Sequence, residues 1–257
     1  MDRAAPLKKR ASPSARRHPA ARARARLRVD IVTLFPEMFE GPLDASIVGR
    51  ARAAGLEEVG FVNPRDFATD RRRTVDDRPF GGGAGMVLLA EPVFQALKRV
   101  RRAGSLVVHL SPQGRRFDQG LARELASRRH LVLVCGHYEG IDERALDYVD
   151  LELSIGDYVL TGGELPAMVV VDALTRLVPG VLAKEGATDR ESFTEALLDF
   201  PQFTRPRVWR RRAVPDVLLS GDHRRIDAWR RAAQREATRR KRPDLLRRDL
   251  EKARTHG

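Results

Sequence analysis

Leu131-Val132-Leu133-Val134-Cys135-Gly136-His137-Tyr138-Glu139-Gly140 decides how this chain is read. Its first five residues are apolar without interruption, so they leave no polar face and read as a strand buried on both sides, as in a parallel sheet. The glycine-bearing stretch that follows reads as the loop at the strand's carboxyl end. Cys135 is the only cysteine among 257 residues, which excludes an intrachain disulfide and a cysteine-based metal cluster. Its place inside the run marks it as a core thiol.

Outward from this strand the pattern alternates. Strands are expected at residues 28–34, 58–62, 106–110 and 149–154, and helices at residues 43–53, 91–100, 117–127 and 165–177. That alternation predicts an α/β fold with a parallel sheet over residues 27–182. Pro179, Gly180 and Gly186 then break the periodicity, so residues 183–191 read as a linker. Residues 192–257 read as a small C-terminal helical domain, with Arg-rich helices at residues 222–240 and 243–253, the first capped by Ser220 or Asp222. Residues 1–26 hold almost no large apolar side chains and are expected to be a disordered basic extension.

Charge is divided unevenly along this framework. Of the formal +13, residues 1–26 carry +8, residues 27–191 carry −4 and residues 192–257 carry +9. A mildly acidic middle between basic ends suits a small ligand in the centre and a polyanion at the ends, with nucleic acid the natural partner. No apolar run approaches the roughly 18 residues of a spanning helix, and the basic start lacks a secretory h-region, so a cytoplasmic protein without a membrane partner is expected.

Three strand ends lead into small or polar residues: Leu110-Ser111-Pro112-Gln113-Gly114, Cys135 to Gly140, and Ser154-Ile155-Gly156-Asp157-Tyr158-Val159-Leu160-Thr161-Gly162-Gly163. Open α/β sheets bind ligands outside the carboxyl ends of their strands, and glycines there allow a flat ligand close to the backbone. Any one of these loops alone would be an ordinary turn; three in register argue for a site. The run Phe80-Gly81-Gly82-Gly83-Ala84-Gly85-Met86 is not a phosphate loop, because no Gly-Lys-Ser/Thr follows and no clear strand precedes it. It reads as a flexible loop that closes over a substrate.

These segments, with residues 34–39, 75–83, 135–144, 154–168, 204–206 and 215–223, resemble the bacterial tRNA (guanine-N1)-methyltransferases of the SPOUT superfamily. The resemblance spans nearly everything after residue 26. It implies a deep trefoil knot in the parallel domain and an obligate homodimer with its active site across the interface. It also implies S-adenosylmethionine held by Leu110, Ser111, Pro112, Gly136, Tyr138, Glu139, Ile155, Gly156, Tyr158, Val159, Leu160, Gly162, Gly163 and Pro166. Glu139 suits the cationic ligand, and Ile155, Val159 and Leu160 suit its adenine.

By the same resemblance the substrate is tRNA, methylated on N1 of guanine 37 beside the anticodon, with Arg205, Gly221 and His223 at positions linked to tRNA contact and Mg2+ assisting turnover. The sequence itself shows no dedicated metal cage. N1 of guanine carries a proton, so the reaction needs a general base and a group to stabilise charge on O6. Arg176 matches the family's arginine. Glu191 stands where the family commonly has Asp, and Asp189 is the runner-up base. His109, His137, Phe80 and Phe203 are milder departures from the best-known relatives. Trp229 reads as a packing residue. Two other functions stay open: a knotted ribose 2′-O-methyltransferase, which needs no linker carboxylate, and a non-catalytic basic RNA-binding protein, which would not bind S-adenosylmethionine.

Overall fold

The computed structural model describes residues 27–183, 186, 188 and 191–247. Five parallel strands form the central sheet: β1 (Leu27–Val32), β2 (Glu57–Val62), β5 (Leu106–Arg116), β6 (His130–Cys135) and β7 (Leu151–Ser154), in the order β2-β1-β6-β5-β7. β6 is buried at every position, as its unbroken apolar run requires. Alternate residues serve opposite faces. Val29, Ile31, Leu131 and Leu133 join one core with α1 (Ser46–Ala53), α3 (Gln119–Ala126) and α4 (Glu164–Thr175). Val32, Val132 and Val134 join the other with α2 (Ala90–Val100).

The helices follow from their spacing and caps. Val93, Ala96, Leu97 and Val100 form the buried stripe of α2, and Ala167, Val170, Val171 and Leu174 that of α4. Asp118 caps α3 by accepting from the Leu121 amide at 2.9 Å. Among the described residues no helix is long and apolar enough to cross a membrane.

Three features depart from the expected outline. The loop expected after Leu110 is an excursion inside β5: Leu110 and Arg115 both pair with Leu153, so residues 111–114 are looped out before the strand resumes. The glycine run is flanked by a short antiparallel pair, β3 (Asp76–Asp77) and β4 (Val87–Leu88), so its base is fixed. The C-terminal part adds to its long helix α5 (His223–Lys241) a hairpin of β8 (Val208–Trp209) and β9 (Arg212–Ala213). Asp222, of the two expected caps, accepts from the Arg225 amide at 3.1 Å. Residues 243–247 are helical as expected; the remainder of that helix, the extension 1–26 and Asp189 lie outside the described residues.

Candidate active site

The three expected loops lie at the carboxyl ends of the adjacent strands β6, β5 and β7, the one after Leu110 inside β5 itself. The loops after β6 and β7 bind one another through their backbones: the Gly163 amide donates to the Gly136 carbonyl at 2.8 Å, and His137 bridges Gly162. This corrects part of the reason for the glycines. A Cβ on Gly163 would lie 2.7 Å from Cys135 Cα, and one on Gly114 would lie 2.2 Å from the Leu153 amide nitrogen. These glycines let chain pack on chain, which is a different need from admitting a ligand.

Exposed surface comes from elsewhere in the loops. Tyr138, Glu139, Tyr158, Val159 and Leu160 are exposed, Val159 to 85%. Ile155 packs against the core below them, Gly156 and Pro166 are buried, and Ser111, with its hydroxyl accepting from the Gln113 amide at 3.2 Å, shapes the β5 excursion. Tyr138 adopts a left-handed backbone (φ 60°), a conformation that costs a non-glycine residue energy and recurs at functional sites. Exposed apolar walls beside a turn of strained backbone fit an aromatic, partly polar ligand such as S-adenosylmethionine.

Beneath this surface lies a charged cluster. Glu164, in the first turn of α4 and 1% exposed, accepts from the Thr33 hydroxyl at 2.8 Å and lies 3.8 Å from His137 Nδ1. The His137 ring packs against Phe35 and Tyr138, each with centroids 4.8 Å apart. Burial, with Glu164 adding to it, pushes the Cys135 thiol well above its ordinary pKa, so it stays a neutral core group as expected. Burial holds His109 below the usual imidazole range, against the opposing pull of Glu152 at 3.4 Å.

The glycine loop leans on the same wall. The Glu139 amide donates to the Met86 carbonyl and the Leu88 amide to the Gly140 carbonyl, each at 3.0 Å, and the Glu139 carboxylate fills the space a Cβ on Gly85 would need. Phe80 at the loop's tip is fully exposed.

Arg176 caps the C-terminus of α4, and its guanidinium donates to the Glu191 carboxylate, both side chains being about one-third exposed. Glu191 also lines a cavity of about 100 Å³ with Thr194, Phe200 and the α5 residues Asp227, Arg230 and Gln234. Arg205, Gly221 and His223 are exposed on the C-terminal part, His223 opening α5. Trp229 packs near Phe203 at 6.2 Å between centroids.

One residue behind this pair escaped sequence reading. Glu57, buried at the start of β2, accepts from the Thr175 hydroxyl at 2.8 Å, and its other carboxylate oxygen has no partner. Burial pushes its pKa up to about 7.

Fold and site together define a parallel α/β domain with three loops at neighbouring strand ends near the start of α4 and an acid–arginine pair at the other end of that helix. The chain belongs to the tRNA (Guanine-1)-methyltransferase TrmD family, which it matches over residues 27–248. A tRNA (guanine-N(1)-)-methyltransferase of Moorella thermoacetica is 57% identical over 226 residues, covering 86% of this chain and 90% of the relative. Those of Anaeromyxobacter sp. (strain Fw109-5) and Carboxydothermus hydrogenoformans are 56% and 52% identical, covering 87% and 86% of this chain and 92% and 87% of the relatives.

Proposed function

We infer that this chain methylates N1 of a guanine in tRNA, taking the methyl group from S-adenosylmethionine, and that the guanine is number 37. The observation that carries the chemistry is the contact between Arg176 and Glu191. Guanine N1 becomes nucleophilic only as its proton leaves, and the Glu191 carboxylate is the group that accepts it. Charge then builds on O6, where the Arg176 guanidinium donates hydrogen bonds. The two groups hold each other in orientation, and the guanine enters between them.

S-adenosylmethionine, when bound, supplies an electrophilic methyl group. Leu110, Ser111 and Pro112, then Gly136, Tyr138 and Glu139, then Ile155 to Leu160 would hold it, with Glu139 countering its positive charge. Gly162, Gly163 and Pro166 act from behind by packing the crossing on which those loops rest, and a trefoil knot is the topology this reading assigns to that crossing. Mg2+ assists turnover in this reading.

A homodimer has support in α4. Leu165 and Val169, one turn apart on the outer face of this helix, are 50% and 47% exposed, with Asp172 exposed beyond them. A helix apolar on its outer face as well calls for cover, and a second copy supplies it. Arg205, Gly221 and His223 belong to the tRNA-facing surface, the divisions 27–182, 183–191 and 192–257 to cofactor domain, linker and tRNA-binding domain, and a cytoplasmic location goes with the substrate.

Labelled S-adenosylmethionine and an unmodified tRNA transcript test the reading. Label in the base of guanine 37 supports it. Label in a ribose, or no transfer, overturns it.

A further inference from the structure

The β8–β9 hairpin turns through Arg210 and Arg211, both in the left-handed backbone region at φ 49° and 63°. A two-residue turn of this kind ordinarily takes Asn-Gly, because a bulky side chain in the left-handed region crowds the following carbonyl. Here both places hold arginine, and Arg212 follows at the start of β9. Next to the turn stands Trp209, 58% exposed even with the Arg210 guanidinium 4.9 Å from its ring centroid. Val208 beside it is 56% exposed. Thus a strained tip concentrates three cations around an open indole, at a place where a soluble surface would favour neither the strain nor the aromatic. Arg207, below the tip, is paired with Asp216 at 3.3 Å, whereas among the described residues no ion pair involves Arg210, Arg211 or Arg212.

We propose that this hairpin is an RNA-contacting finger in which a tRNA base stacks on Trp209 while Arg210, Arg211 and Arg212 meet the neighbouring phosphates. Stacking on an aromatic face is tolerant of base identity, and arginines at the rim of the ring both extend the stack and neutralise backbone charge. The finger rests on the tRNA reading given above but is separate from the Arg176–Glu191 pair: it contributes affinity and orientation of the RNA, with no part in proton transfer.

Full-length wild type, Trp209→Ala, Trp209→Phe and the double variant Arg210→Asn/Arg211→Gly are compared for tRNA affinity by anisotropy, methyl transfer, unfolding and oligomeric state. The finger predicts that Trp209→Ala weakens tRNA binding between about 5-fold and 100-fold, with the loss in KM for tRNA, and that Trp209→Phe recovers most of it. It predicts that the double variant unfolds at a higher temperature yet binds tRNA more weakly, its salt dependence falling by about 0.7–0.9 in log–log slope for each phosphate no longer neutralised by an arginine. Unchanged tRNA affinity in Trp209→Ala, beside an active wild type, overturns the finger and leaves the methyltransferase reading intact. A change in oligomeric state would assign the hairpin to a protein contact and also overturn it. A wild type that binds tRNA through Trp209 but transfers no methyl group would sink the reading and not the finger.

Discussion

Arg176 at the end of α4 and Glu191, 15 residues apart in sequence, are joined by a hydrogen-bonded ion pair. In the proposed reaction each has a separate task, Glu191 taking the N1 proton and Arg176 stabilising charge on O6. Glu191→Gln keeps the shape and removes the basicity, so kcat should fall by about 10²–10⁴ with little change in tRNA affinity. Arg176→Ala should cost about 10²–10³. Single-turnover methyl transfer measures both; near-normal rates in either variant contradict the assigned role.

Glu57 predicts a pH dependence of stability. Its folded pKa of about 7 lies above the ordinary 4.5, so between these values the folded chain binds more protons than the unfolded one. The stabilisation is full below about pH 4.5, declines as pH rises through about 7, and then levels off, amounting to about 3 kcal/mol at most. Glu57→Gln, neutral at every pH, should remove this component and make the unfolding midpoint less dependent on pH across the window. Urea titrations from pH 5 to 8 decide it; equal slopes for wild type and variant would show that Glu57 is ionised in the folded chain.

Gly163→Ala should weaken the crossing on which the loops rest, because the added methyl meets Cys135 Cα at 2.7 Å. Overpacking of this kind costs roughly 1–3 kcal/mol. Differential scanning calorimetry and calorimetric titration with S-adenosylmethionine should show a lowered midpoint together with weaker binding. A stable variant with unaltered cofactor affinity would mean the contact relaxes freely.

Leu165→Asp combined with Val169→Lys places charge on the exposed apolar face of α4. Light scattering should show a monomer in place of a dimer, with methyl transfer lost while the fold, followed by circular dichroism, persists. An active dimer from this variant would remove α4 from the interface.

Much of this was legible from the chain because apolar runs such as Leu131 to Cys135 admit one burial pattern, and because loops after such strands are where α/β folds place ligands. The rest depended on partners distant in sequence. The excursion of residues 111–114 is defined by its return to Leu153, which no local signal announces. Glu57 becomes a buried carboxyl only through Thr175, 118 positions away. The β8–β9 turn lacks the Gly or Asn that marks such hairpins, so Trp209 to Arg212 reads as plain basic tail. The glycines at 114 and 163 were visible, but that their missing side chains make room for backbone, and not for ligand, follows from the packing alone.

The most direct test is to react wild type and Glu191→Gln with S-adenosylmethionine and a tRNA transcript bearing guanine at positions 36 and 37, and to identify the product nucleoside by mass spectrometry. The account predicts 1-methylguanosine at position 37 from the wild type and, at equal time, roughly 1% of it or less from Glu191→Gln. A wild-type yield from the variant, or 2′-O-methylguanosine as the product, would contradict it.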